Sequence, residues 1–172
     1  MMLAVLAWPV AALPMALPGQ VASVLPDARA IGQGTLRWLG FHVYDATLWV
    51  AAAAWSETVP FALDIRYARR IAGHKLAATS VEEMRRLGLG SEEQLQRWGQ
   101  AMNRIFPDVA PGDRLIGVNL PGSGAAFYSA SRLLGRVDDG DFARAFFAIW
   151  LDARTREPGL RATLLGGNER SR

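Results

Sequence analysis

Two helix-start signatures stand in the middle of this chain, with strand patterns on either side of them. Ser80 followed three residues later by Glu83, and Ser91 followed by Gln94, fit the capping box, in which both side chains satisfy backbone N–H groups at a helix N-terminus. After the second box Leu95, Trp98, Met102, Ile105 and Phe106 recur at helical spacing, and Pro107 stops the run. Ahead of both boxes, residues 35–53 carry Leu36, Trp38, Phe41, Val43, Tyr44, Leu48, Trp49 and Val50, with Gly40 as the internal breaker. That pattern predicts two strands, or one long strand bent at Gly40. From Pro60, the residues Phe61, Leu63, Ile65 and Tyr67 alternate with Ala62, Asp64, Arg66 and Ala68, the two-residue period of a strand with one face in a core.

Strands resume beyond Pro107. Residues 114–120, the turn Pro121-Gly122-Ser123-Gly124 and residues 125–131 read as a hairpin, with a further short strand over 133–137. Asp138, Asp139 and Asp141 give an acidic start to a helix over 142–151, whose apolar face is Phe142, Ala145, Phe146, Ile149 and Trp150. Pro158 and Gly159 separate it from a last short helix that Gly166 closes. The order strands, two helices, strands, helices argues an α+β fold with a largely antiparallel sheet rather than a doubly wound one. At 172 residues the chain is long enough for one ordinary core.

No charged side chain occurs from Met1 to Pro26, and residues 3–8 are apolar in the manner of a secretory h-region. Pro9, Pro14 and Pro18 break any run long enough to cross a bilayer. The expectation is a signal peptide over residues 1–22, cleaved between Ala12 and Ala22, and a periplasmic or secreted protein. The departure from a secretory pattern is the absence of Lys or Arg ahead of the apolar stretch, and the alternative is an apolar arm packed on the domain. Residues 167–172 form a polar tail.

Most kinds of chemistry lack their residues. There is no cysteine, hence no thiolate nucleophile or cysteine-ligated metal. His42 and His74 belong to no metal-spacing motif, so neither metal nor cofactor is expected. Ser123 sits in turn chemistry and lacks the flanks of a nucleophile elbow. The pairs Glu82/Glu83, Glu92/Glu93 and Asp138/Asp139 fall at predicted helix starts, where the helix dipole accounts for them. Gly32-Gln33-Gly34 lacks the third glycine of a dinucleotide loop and precedes a strand. The net charge is only +3, and Arg66, Arg69, Arg70, Arg85 and Arg86 read as solvated faces, so no nucleic-acid partner is expected. What remains is Arg37, among large apolar strand residues. Turned inward it would bind a carboxylate or phenolate bidentately; turned outward it is an edge arginine in solvent.

The segments Gly32-Gln33-Gly34-Thr35-Leu36-Arg37, Gly40-Phe41-His42-Val43-Tyr44-Asp45-Ala46-Thr47-Leu48-Trp49, Phe106-Pro107-Asp108 with Gly112-Asp113, and Phe146-Phe147-Ala148-Ile149-Trp150-Leu151 followed by Leu164-Leu165-Gly166 resemble, in order and spacing, the bacterial chalcone isomerase-like proteins. The similarity covers residues 30–166. It implies an open-faced sandwich, an antiparallel sheet covered by a helical layer with a small-molecule cleft between them. Relatives divide into plant isomerases, which close a flavonoid ring by intramolecular addition, and noncatalytic members, some of which bind fatty acids. The resemblance matches the family's cleft arginine to Arg37, with a shorter run to the next strand than in the plant enzymes. The plant enzymes' substrate-orienting tyrosine and asparagine fall near Leu76 and Glu83, and their hydroxyl residues near Val43 and Ala143, so the catalytic set is incomplete here.

Three functions are therefore in play. One is a noncatalytic binder of a small hydrophobic carboxylate such as a fatty acid, with Arg37 as anchor and Tyr44 and Tyr67 as further donors. The alternative is an isomerase, an intramolecular lyase acting on a phenolic or enone substrate, with Arg37 stabilising negative charge. The third is a structural role in which the cleft is filled by the protein's own side chains.

Overall fold

The structure, a computed structural model, describes residues 16–167. In chain order the elements are α1 (Gly19–Val24), β1 (Arg29–Trp38), β2 (Phe41–Val50), β3 (Phe61–Tyr67), α2 (Gly73–Arg86), α3 (Glu92–Ile105), β4 (Arg114–Leu120), β5 (Gly124–Tyr128), β6 (Leu133–Val137), α4 (Gly140–Leu151) and α5 (Pro158–Leu164). The six strands form one antiparallel sheet in sequence order. After β3 the chain leaves the sheet to build α2 and α3, then returns as β4 beside the strand it left. The architecture is the α+β open-faced sandwich expected from the sequence.

Alternation places the two faces. Ala46, Leu48, Val50, Leu63, Ile65, Tyr67 and Phe127 share one core with residues of α2 to α5, including Met84, Trp98, Met102, Phe142, Phe146 and Leu164. The middle of this layer is aromatic. Phe61, Phe106, Phe127, Phe142, Phe146 and Phe147 form a chain of mostly edge-to-face pairs with centroids 4.9–6.1 Å apart, the arrangement ring quadrupoles prefer. At the β1 side the layer is thin, because glycine lets backbones meet. A Cβ on Gly32 would lie 2.1 Å from the Thr163 carbonyl oxygen, and one on Gly34 2.3 Å from the Thr163 hydroxyl.

The box at Ser91 is present: Gln94 donates its N–H to Ser91 Oγ at 3.2 Å, and Ser91 N–H donates to Gln94 Oε1 at 2.9 Å. The box at Ser80 is not. α2 begins at Gly73, so Ser80 lies inside it and donates to the Leu76 carbonyl at 2.9 Å. Glu82 and Glu83 are likewise not at a helix start, and Glu83 instead pairs with Arg86 and Arg156 at 2.9 and 2.7 Å. The true N-terminal acceptor is Asp108, whose Oδ1 takes the Gly73 N–H at 2.8 Å across 35 positions of chain. Asp139 does cap α4, accepting from Asp141 and Phe142 N–H, and it also accepts from the Trp98 indole at 2.9 Å.

The second face of the sheet is partly covered. Val21 and Leu25, from α1 and its C-cap, are buried against Ala62, Ile116, Val118, Ala126 and Tyr128. Residues 16–22 of the expected signal peptide therefore belong to the described fold, while residues 1–15 lie outside the described residues. Beside α1, Asp64 is fully buried and takes two hydrogen bonds from the Arg114 guanidinium, the Nε one at 3.1 Å, and Arg114 also donates to the Ala16 carbonyl. Removing one partner of a buried pair leaves an uncompensated charge. Asp64→Ala is expected to lower unfolding free energy by about 3–5 kcal/mol in urea titration, and replacing both partners by apolar residues should recover much of it.

Candidate functional site

The inward residues at one end of β2 and β3 include two tyrosines. Tyr44 and Tyr67 are directly paired across the strands, with ring centroids 6.0 Å apart at 73°. Trp150, near the C-terminus of α4, donates its indole N–H to the Tyr44 hydroxyl at 2.8 Å. Burial pushes the Tyr44 pKa up to about 12, with the Trp150 bond pulling the other way and Glu157 adding a smaller push upward. Burial raises Tyr67 as well, helped by Tyr44. Both are therefore neutral hydroxyls at neutral pH. Tyr44 accepts from Trp150 and keeps its own proton to give, and the Tyr67 hydroxyl makes no hydrogen bond among the described residues.

Arg37 is not with them. Gly34 and Leu36 of β1 face α5 and the core, so strand alternation turns Arg37 to the opposite face, where it is exposed. The expectation of a guanidinium inside an apolar cavity is not met. The same face carries a small polar network in which Thr35 donates to Asp45 Oδ1 at 2.6 Å and His42 Nε2 lies 3.0 Å from the same oxygen. His42 is thus hydrogen-bonded, and His74 is exposed in the first turn of α2. No cluster of three or more His, Asp or Glu able to hold a metal ion is present among the described residues. Of the other positions aligned with plant catalytic residues, Glu83 is engaged by Arg86 and Arg156, and Ala143 is buried and carries no polar group.

Space is open elsewhere. A cleft of about 350 Å³ runs along α4, bounded by the β2–β3 loop and the β4–β5 turn, at the low end of ligand-site volumes. Trp55, Phe61, Phe147 and Leu151 supply its apolar wall. Its polar margin holds Glu57, Asp141 and Asp152 against a single cation, Arg144, which already pairs with Asp141 at 2.7 Å. Asp152 has its pKa drawn down to about 2, chiefly by hydrogen bonding from the Arg154 side chain. With Asp141 and Asp152 already paired, the margin offers a carboxylate no free cation among the described residues. Trp55 has a buried indole N–H with no acceptor among the described residues, and buried Asn119 makes only long contacts, 3.4 and 3.5 Å, to the Val59 and Glu57 carbonyls. The sequence reading missed this cleft, since its walls come from three distant segments joined by the Phe61–Asn119 register.

Comparison with known proteins fits this geometry. The chalcone isomerase-like family matches residues 31–166. The chain belongs to that family. A Haemophilus influenzae protein, described only as uncharacterized, is 32% identical over 137 residues, covering 79% of this chain and 67% of that protein. Among solved structures, an Arabidopsis thaliana fatty-acid binding protein superposes with a TM-score of 0.63 at 13% identity, over 82% of this chain and 88% of that one. At that identity the likeness concerns the chalcone isomerase-like fold.

The tyrosine pair sets an alkaline limit. Their folded pKa values lie above the ordinary 10.0, so below pH 10 their contribution to stability is complete, and it falls as pH rises through about 12. Urea titrations at pH 9 and pH 11 should show this loss in the parent, and a shallower decline in Tyr44→Phe/Tyr67→Phe.

Proposed function

We propose that this chalcone isomerase-like protein is a noncatalytic binder of a small hydrophobic carboxylate, such as a fatty acid, acting in the periplasm or outside the cell. The observation that carries the reading is the Tyr44–Tyr67 pair: two adjacent, neutral phenols with unspent protons, set in an apolar layer. A carboxylate accepts such charge-assisted hydrogen bonds strongly, and an apolar chain gains by burial beside them. The fatty-acid binding neighbour with the same fold supports the ligand class. Tyrosines with raised pKa values are poor general bases at neutral pH, which favours binding over proton abstraction.

Arg37 contributes from outside the layer, as part of a positive potential at that end together with Arg69 and Arg70, rather than as a bidentate clamp. Because Phe106, Phe146 and their neighbours fill the layer, the acyl chain enters only as these rings change rotamer or α5 shifts from β1. Packing of Leu17, Val21 and Leu25 on the sheet favours an export cleavage ahead of Leu17.

Native mass spectrometry of protein purified without detergent should reveal a bound fatty acid, and adding fatty acid to delipidated protein should raise its melting temperature. Tyr44→Phe/Tyr67→Phe should weaken binding by about tenfold or more, since a hydrogen bond to a charged group contributes roughly 1.5–3 kcal/mol. Arg37→Ala should change it less. If no lipid co-purifies and no fatty acid shifts the melting temperature, the proposal fails.

A further inference from the structure

Three of the large hydrophobic side chains exposed among the described residues are contiguous in space: Trp38 (69% exposed), Leu39 (78%) and Phe41 (59%). They form the tip of the β1–β2 hairpin, where Trp38 pairs with Phe41 and the chain reverses through Leu39 and Gly40 at φ values of 49° and 80°. Both turn residues are left-handed, as a two-residue type I′ turn requires. Asn or Gly is the easy choice at the first of these positions, and a bulky apolar side chain there is conformationally costly. The fold thus holds a leucine, at a cost, at a solvent-facing hairpin tip. Strain kept at a solvent-facing apolar residue points to a use for that residue.

The surroundings say what the use is. Arg37 adjoins the tip, Arg69 lies over the Phe41 ring with its Cζ 5.0 Å from the centroid, and Arg66 and Arg70 are exposed nearby on the β3 end and its loop. None of these four has a carboxylate within 4.0 Å among the described residues. The acids of the same end are occupied: Asp45 by Thr35 and His42, Asp108 by the Gly73 N–H, and Asp113 by the Ala110 N–H. A protruding tip of three apolar side chains offers far less area than the roughly 800 Å² per partner of a stable protein interface. Aromatic and aliphatic side chains ringed by unpaired arginines suit the interfacial zone of an anionic bilayer, where Trp seats at the headgroup level and cations meet lipid phosphates.

We propose that the β1–β2 hairpin tip is a membrane-docking element that inserts Trp38, Leu39 and Phe41 into an anionic lipid surface, with Arg69 and Arg70 on the headgroups. This does not rest on the fatty-acid reading, although it would set the Tyr44–Tyr67 end of the layer next to the bilayer. The test is co-sedimentation with vesicles of phosphatidylglycerol and phosphatidylethanolamine, against vesicles of phosphatidylcholine alone. The protein is expected to partition at least tenfold better onto the anionic vesicles, and less so as salt rises. Trp38→Ser/Leu39→Asn and, separately, Arg69→Ser/Arg70→Ser should each abolish most of that partitioning. The Leu39→Asn change alone should leave the melting temperature equal or higher, which separates docking from a folding defect. Absence of binding to anionic vesicles overturns the proposal. So does binding that the tip variants leave intact, or a dimer in light scattering that Trp38→Ser/Leu39→Asn converts to monomer. Fatty-acid affinity measured in Trp38→Ser/Leu39→Asn should be unchanged, so either proposal can fail without the other.

Discussion

A β-strand has two sides and a fixed period, and here that parity determines which side chains can meet a ligand. On β1 the glycines at positions 32 and 34 face α5, because a Cβ at either would collide with Thr163, and Leu36 follows on the same side against the core. Once Leu36 is committed inward, Arg37 is committed outward. On β2 and β3 the same rule turns Tyr44 and Tyr67 inward beside Leu48, Leu63 and Ile65. The site is therefore composed of what parity admits to the layer: phenols, indoles and hydrocarbon, with the guanidinium groups left around it.

Much of the fold was legible because it is locally encoded. The alternation in β3, the capping box at Ser91, the heptad-like stripe of α3 and the Pro-Gly-Ser-Gly turn all work over fewer than a dozen residues, and each appears in the structure where the pattern put it. The displaced helix start has a long-range cause. α2 starts seven residues before Ser80 because its N-terminal donor is met by Asp108, far along the chain, and no local pattern announces a cap of that kind. Residues 1–22 read as a leader, and the packing of Val21 and Leu25 over the sheet beside the Asp64–Arg114 pair is likewise a contact with distant strands that no local pattern announces.

The candidate site was legible in part. The two tyrosines stand out in the sequence as phenols on inward strand positions, whereas their neutral, desolvated state depends on Trp150 and the α4 layer above them. The orientation of Arg37 stayed open although the alternation that places it lay in the sequence, since Leu36 fixes its parity. The cleft beside α4 is invisible locally, being a product of strand register. The two ends of the helical layer also differ in charge, with largely paired carboxylates along the cleft and, around the tyrosines, arginines without a carboxylate partner among the described residues.

The detour through α2 and α3 has a kinetic side. Five of the strand contacts in this sheet could be counted as four neighbouring hairpins or near-hairpins and one junction, β3 with β4, that spans both helices. Pairing within each half is quick to try and quick to undo, while the central junction has to wait until a long stretch of chain has been gathered in. The middle seam therefore has the longest loop to close, and until it closes the chain carries an unsatisfied β3 edge.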